Sequence, residues 1–152
     1  MAYEDRTYHG IPRTKEQTAR LLVESPEDGP TQRLKLTVLR ELRAKDEAQL
    51  GGFGWGYNGS GTSRAAAAIL ADALDLGDPI KAGISFCEWP QDDILIRLRE
   101  DFCIEVLSQF CDEWRLRRGV IVRWAHSWFI QHGITELPGA LRDLPPLENI
   151  DA

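Results

Sequence analysis

The stretch 51–76 constrains this chain more than any other part of its sequence. Its first eleven residues, GGFGWGYNGSG, contain six glycines, and three aromatic residues alternate with them. Glycine is used at this density where the backbone needs positive φ or where another group must come very close. Each aromatic side chain has a large apolar area to bury, which a free linker does not provide. The sequence therefore predicts an ordered loop seated on a core.

The segments before this loop predict a hairpin. Thr18–Glu24 and Arg33–Leu39 have strand character, and the turn-rich residues between them favour antiparallel pairing. In the second segment Leu34, Leu36 and Val38 alternate with polar residues, which is typical of a strand with one buried face.

Three helices are expected after the loop. The first has Ser60 or Thr62 as its cap and runs through four consecutive alanines to about Leu76. The second opens with acidic residues near position 91 and reaches about position 111, with an apolar stripe wide enough for a central helix. The third covers about 119–131 and places one apolar face inward.

The expected fold class is α+β, an N-terminal β-hairpin packed on about three helices. Residues 1–135 are interpreted as a single domain and 136–152 as an irregular C-terminal tail. Residues 1–17 are interpreted as an irregular or weakly paired entry, and 114–118 as a short link between helices, for which an extended conformation is one option.

The charge balance indicates the kind of partner. The net charge is −6, and residues 72–113 carry eleven acids against three bases. Broad DNA binding depends on neutralising phosphates, for which an acidic chain is poorly suited. A basic protein partner suits this balance, and an ordinary solvated helix face is the alternative explanation. The residues expected to contact such a partner are Asp92, Asp93, Glu100 and Asp101.

Other compositional features bear on location and assembly. No apolar run reaches the roughly 18–20 residues of a membrane span, and the N-terminus lacks the apolar core of a signal peptide. Three cysteines without a CxxC pair indicate reduced thiols. We therefore expect a cytoplasmic protein with no membrane partner. Five tryptophans leave room for an apolar interface, so a homo-oligomer is an open alternative.

The glycine loop has two spacings associated with nucleotide binding, and both are incomplete. Gly56 to Thr62 has the spacing of a phosphate-binding loop without its lysine, and the dinucleotide spacing lacks the buried strand before it. Backbone N–H groups at the helix start could still hold an anion. We expect a structural loop, with a protein contact and a phosphate or nucleotide site as alternatives. The residues concerned are Trp55, Tyr57, Asn58, Gly59, Ser60, Gly61 and Arg64.

The residues needed for catalysis are not arranged in a complete set. Neither Ser60 nor Ser63 lies in a Gly-x-Ser-x-Gly elbow, and the chain has three histidines. His126 and His132 are six residues apart and so lie on different faces of a helix, which makes them a poor pair of metal ligands. We expect no enzyme activity, no catalytic residue, no metal site and no cofactor.

One basic stretch suggests another function. Four arginines lie within nine residues and are interleaved with tryptophans, as in nucleic-acid surfaces: Arg115, Arg117, Arg118 and Arg123. Asp112 and Glu113 adjoin the stretch, so pairing of this basic turn with the acidic helix is the simpler explanation. Nucleic acid is not the expected partner, and its binding through these arginines is kept as an alternative.

The segment FGWGYNGSGTSRAAAAILADAL resembles a small, uncharacterised family found in bacteria and their phages. That family is marked by an aromatic residue, a Trp-Gly-Tyr-Gly-Gly-Ser-Gly-Pro loop and an Ala/Leu-rich helix. Phe53, Trp55–Tyr57 and Gly59–Gly61 match this pattern, whereas Asn58 and Thr62 replace a glycine and the proline. The resemblance extends more loosely to about residue 128. It implies a phage or mobile-element accessory protein in the host cytoplasm, a kind that often acts by binding a host protein.

These observations favour a non-enzymatic binding protein. The leading hypothesis is an accessory protein that modulates or inhibits a host protein, for instance one of host defence, through its acidic surface. A phosphate- or nucleotide-binding domain that uses the glycine loop is the alternative. Nucleic-acid binding through the arginine stretch is the second alternative.

Overall fold

The computed structural model describes residues 6–26, 33–40, 52–84, 91–142 and 144. The helices and strands in this part of the chain are β1 (Thr7–Ile11), β2 (Arg20–Pro26), β3 (Leu34–Leu39), α1 (Ser60–Ala73), α2 (Pro79–Ala82), α3 (Asp93–Glu105), β4 (Trp114–Arg117), α4 (Arg118–Gln131) and α5 (Gly139–Arg142). A 3₁₀ turn, Leu107–Gln109, follows α3. The fold is α+β, as the sequence predicts.

The four strands form one antiparallel sheet in the order β3-β2-β1-β4. The predicted hairpin is present as β2 and β3. Residues 1–17, interpreted as an irregular or weakly paired entry, contain the fully paired strand β1, and residues 114–118, interpreted as a link, contain the strand β4. Tyr8 lies opposite Val23 on one side and Leu116 on the other. The two strands are short and distant in sequence, so no local pattern reports their pairing.

One face of the sheet packs on the helices. Residues directly opposite each other in adjacent strands share a face, and neighbours along a strand alternate between faces. Tyr8 is fully buried and donates its hydroxyl proton to the Asp72 carboxylate of α1 at 2.5 Å, which identifies the inner face. His9 and the pair formed by Leu22 and Val38 therefore lie on the outer face.

The predicted burial of one face of β3 is wrong. Leu34, Leu36 and Val38 lie on the outer face of the sheet and are 59%, 58% and 49% exposed. The inward positions Lys35 and Thr37 are exposed as well. The reason is the place of β3 at the edge of the described sheet, where only Leu39 packs against the core.

The wide apolar stripe of α3 predicts that α3 is the central helix, and this prediction is wrong. The central helix is α1. Twelve of its fourteen residues are buried, which is typical of a helix enclosed on all sides. Its small alanine side chains let α3 and α4 approach closely. The expected caps are also wrong: Gly59 is the N-cap, no side chain caps it, and Ser60 and Thr62 lie inside the helix.

Two buried arginines attach the C-terminal end of α1 to its neighbours. The Arg6 guanidinium donates to Asp72 at 2.8 Å and to Asp75 at 3.0 Å. From the first turn of α4, Arg118 donates to the carbonyl of Ala73 at 2.8 Å and to Asp75 at 3.0 Å. Cationic side chains at this end of a helix bind its unpaired carbonyls and favour its dipole. These contacts position α1 against both the sheet and α4.

The segment after residue 135 adds to the core. Leu141 of α5 is 1% exposed, and Leu137 and Leu144 pack against the buried residues. The described part of the expected tail therefore contains a helical turn that is anchored by apolar contacts.

Candidate functional site

The glycine loop is packed against the start of α1 and the 3₁₀ turn. The Gly54 N–H donates to the carbonyl of Gly61 at 3.1 Å, and the Gly56 N–H donates to that of Leu107 at 2.9 Å. Gly56 has a φ of +83°, and a Cβ there would lie 2.8 Å from the carbonyl oxygen of Phe110. Left-handed geometry and close approach thus both require glycine at this position. The loop is ordered and seated on the core.

The polar groups of the loop are used inside the protein. Arg64 is 7% exposed, and its guanidinium donates to the Ser60 hydroxyl at 3.3 Å and to the Gly52 carbonyl at 3.2 Å. Asn58 accepts a weak hydrogen bond from the Cys103 thiol at 3.5 Å. An anion at this helix start would have to compete with these contacts. They support the structural interpretation of the loop.

Aromatic side chains form the exposed surface of the loop. The Trp55 indole donates to the Asp112 carbonyl at 2.8 Å and meets the Trp114 ring edge to face, with centroids 5.4 Å apart. Tyr57 is 52% exposed. A cavity of about 410 Å³ lies beside them, lined by Pro12, Arg13, Ala19, Phe53, Gly54, Trp55 and Tyr57.

Two of the four acidic residues expected to bind a partner share the start of α3. Asp92 is the N-cap, and its carboxylate accepts the N–H groups of Ile94 and Leu95 at 2.9 and 3.0 Å. Asp93 follows in the first turn, and both side chains are exposed. Carboxylates at this end of a helix also complement its dipole. Asp92 is therefore held in a fixed orientation at the surface.

The other two acidic residues bind neighbouring helices. Glu100 accepts from the Ser63 hydroxyl of α1 at 3.1 Å and from the Arg99 guanidinium at 2.7 Å. Asp101 accepts from the indole N–H of Trp128 in α4 at 2.7 Å. The four acidic residues are therefore divided between an exposed pair and two side chains that attach α3 to α1 and α4.

The four arginines of the basic stretch are likewise separated. Arg115 and Arg117 alternate with buried or half-buried residues of β4 and lie on the outer face of the sheet, where Arg115 donates to Glu24 at 3.2 Å. Arg118 is 5% exposed and binds the end of α1. Arg123 is half-buried on α4. The four side chains do not form one basic surface.

A groove that the sequence analysis did not identify lies where α1, α3, α4 and the C-terminal segment meet. Its volume is about 700 Å³. Its apolar lining residues are Leu76, Ile94, Leu95, Phe129, Leu137 and Pro138, and its polar ones are Asp92, Thr135, Glu136 and Arg142. Apolar walls with a few polar groups are typical of binding sites. Of these ten lining residues, the sequence analysis selected Asp92 alone. The lining comes from four separate segments of the chain, so no local pattern shows that these residues meet.

The part of the chain that the structure describes contains neither a metal cluster nor a membrane-spanning helix. No set of three or more His, Cys, Asp or Glu side chains there is placed to hold a metal ion. None of the described helices has the length and apolar character needed to cross a membrane.

Comparison with known proteins places the chain near one family. No curated protein and no solved structure matches it. The family match covers residues 8–82, which include β1, β2, β3, the glycine loop and α1. The match begins and ends earlier than the resemblance in the sequence analysis, which extends to about residue 128. It confirms the expectation of an uncharacterised family. Over residues 8–82 the chain is similar to DUF6166, a family of unknown function.

Proposed function

We propose that this is a non-enzymatic protein that binds another polypeptide in the groove between α1, α3, α4 and the C-terminal segment. One observation carries the proposal: apolar walls and two exposed carboxylates, Asp92 and Glu136, occur in the same groove. The partner that fits it presents an apolar side chain next to a lysine or arginine. This role is consistent with the acidic balance of the chain.

The apolar wall is formed in part by side chains that already belong to the core. Phe129 is 1% exposed, and Leu95 and Leu137 are half-buried and pack against the core cluster. Their positions are set by the fold, so little side-chain entropy is lost when a partner covers them. An apolar anchor in such a pocket is the usual source of binding energy in a protein interface.

The charged edge of the groove supports a basic partner. The Asp92 carboxylate is oriented by the N–H groups of Ile94 and Leu95 before any partner arrives. Arg142 also lines the groove, and its guanidinium donates to the carbonyl of Leu137 at 3.0 Å. Complementary charge at the edge of an interface speeds association and excludes partners of the wrong charge.

The biological role that we propose follows from the resemblance described above. In it, a phage or mobile element supplies the protein, which modulates or inhibits a host protein in the cytoplasm. The contacts of Arg64 and the separation of the four arginines provide no comparable support for a nucleotide or nucleic-acid site.

The test is affinity capture from a nuclease-treated host lysate, with the retained proteins quantified by mass spectrometry. Ile94→Gln and Glu136→Lys change the groove, and Ile104→Gln and Glu105→Lys are matched controls at exposed positions of α3 outside it. The groove variants should lose a specific partner by at least about tenfold, as expected when an anchor contact is removed. The controls should retain it.

Thermal melting of all four variants separates a lost site from a lost fold. Retention of every captured protein by folded Ile94→Gln and Glu136→Lys would refute the groove as the partner site. A partner lost equally from the groove variants and the matched controls would refute it as well.

A further inference from the structure

The outer face of the sheet is divided into an ionic half and an apolar half. On the side of β1 and β4, the His9 imidazole lies 3.2 Å from the Glu24 carboxylate and 2.5 Å from that of Glu113. Arg115 donates to Glu24 in the same cluster. On the side of β3, three apolar side chains are about half exposed: Leu34, Leu36 and Val38.

The apolar half lies at one edge of the sheet formed by the described strands. Among the described strands, only β2 pairs with β3. Natural proteins protect such edges with proline, bulges or inward charges, because unpaired N–H and C=O groups attract another strand. Leu34–Leu39 contains no proline, and its one charge is Lys35 on the inner face, so no charged side chain of β3 interrupts the outer face. A row of exposed apolar side chains on an edge that no other described strand pairs with marks an interaction surface.

We infer that a second copy of this chain binds here, with β3 pairing antiparallel to β3 of the partner about a two-fold axis beside Leu36. The two four-stranded sheets then form one sheet of eight strands. The exposed apolar rows of the two copies meet on its outer face. This surface lies on the sheet, away from the helical groove, so the inference does not depend on the proposed function.

The register follows from symmetry and side-chain chemistry. A two-fold axis between antiparallel copies of one strand passes beside a residue that faces its own copy, because opposite residues share a face. An axis beside Lys35 would place two lysines directly opposite each other, which is destabilising. An axis beside Thr37 would leave Leu34 opposite Arg40, outside the strand.

With the axis beside Leu36, every apolar side chain of the row lies opposite another apolar side chain. Leu36 then faces Leu36 of the partner subunit, and Leu34 faces Val38 of the partner subunit. Lys35 faces Thr37 of the partner subunit, so no like charges are opposed. Cross-strand pairs of large apolar residues are the contacts that stabilise a sheet. The strand is thus complementary to itself, which is the property that a two-fold interface requires.

A cysteine at the axis tests this register directly. Residues opposite each other in an antiparallel pair have Cα atoms about 4.5–5.5 Å apart, which is within the range of about 4.4–6.8 Å that a disulfide spans. In a background with Cys87→Ser and Cys111→Ser, oxidised Leu36→Cys should therefore form a covalent dimer. Leu34→Cys alone should not, because residue 34 and its copy would be about 13 Å apart along the strands.

A mixture provides the matched positive control. Leu34→Cys and Val38→Cys should each stay monomeric when oxidised alone and should cross-link to each other when mixed. We expect at least about tenfold more covalent dimer from Leu36→Cys than from Leu34→Cys, because only the former satisfies disulfide geometry. Equal cross-linking of all three variants, or none from Leu36→Cys, would overturn the inference.

Sedimentation of the full chain without cysteine changes provides a second measurement. One strand pair with its apolar row is smaller than a standard interface of roughly 1,600 Å², so dissociation should be visible on dilution from high concentration. Leu36→Lys places two positive charges at the axis and should abolish the dimer, while its melting temperature should match that of wild type in dilute, monomeric samples. A wild-type chain that stays monomeric at high concentration would overturn the proposal. So would a Leu36→Lys dimer as stable as that of the wild type.

Discussion

Replacing Gly10 with alanine should destabilise the protein through a single contact. Gly10 lies in β1 opposite Leu21 and Trp114. A Cβ at this position would lie 2.3 Å from Cε2 of the Trp114 indole and 2.7 Å from Cζ2. Real Cβ atoms do not approach other atoms this closely, so the indole or the strand has to move.

The indole has little freedom to move. Trp114 is 8% exposed, and its ring is packed against Phe110 and Trp55 with centroid distances of 4.7 and 5.4 Å. Overpacking a core usually costs about 1–3 kcal/mol, and we expect the upper end of that range, about 3 kcal/mol, for Gly10→Ala. At about 2–4 °C per kcal/mol for a chain of this size, the melting temperature should fall by about 6–12 °C.

Urea titration and thermal melting measure this effect against a matched control. A Cβ at Gly139 would meet no atom within 4 Å, so Gly139→Ala should change the free energy of unfolding by less than about 0.5 kcal/mol. Trp114→Phe makes space beside Gly10, so the double variant should show a favourable coupling energy of about 1–2 kcal/mol. A Gly10→Ala variant as stable as wild type, or strict additivity with Trp114→Phe, would refute the steric reasoning.

Three further predictions concern titratable side chains. Tyr8→Phe removes a hydroxyl that donates to Asp72, so urea titration should show a free energy of unfolding lower by about 1.5–3 kcal/mol. An unchanged urea midpoint would contradict this. Burial, reinforced by Asp72, raises the pKa of Tyr8 above its ordinary value of 10.0, so the folded state keeps a proton that the unfolded chain releases. The free energy of unfolding of the wild type should therefore fall as pH rises above about 10. That of Tyr8→Phe should fall less steeply, and urea midpoints measured across this pH range test the difference. Burial, with Glu100, raises the pKa of the Cys103 thiol, so alkylation followed by mass spectrometry should label exposed Cys111 before Cys103. Equal rates at these two cysteines would contradict this.

The site shows how little of a surface is encoded locally. Asp92 could be selected from the sequence because an acidic residue before an apolar run predicts a helix start. Glu100 and Asp101 have the same acidic character, yet they bind Ser63 and Trp128 on other helices. The groove combines four separate segments, so no spacing in the sequence reports it.

Local periodicity determined the elements whose stabilising contacts are visible within one segment. The hairpin of β2 and β3, the ordered glycine loop and the three long helices follow from alternation, helical spacing and the needs of glycine and aromatic residues. These patterns record what each segment has to bury. They were sufficient for the α+β class.

Only the tertiary structure decided which segments meet and which faces stay open. β4 pairs with β1 across about a hundred residues of chain, which places β3 at the opposite edge of the sheet. The apolar row of β3 is exposed for that reason, although its alternation is the same as that of a half-buried strand. Arg118 is buried because this pairing brings it to the carbonyl of Ala73 and to Asp75. Alternation shows that a strand has two kinds of face, and long-range pairing decides which of them another layer covers.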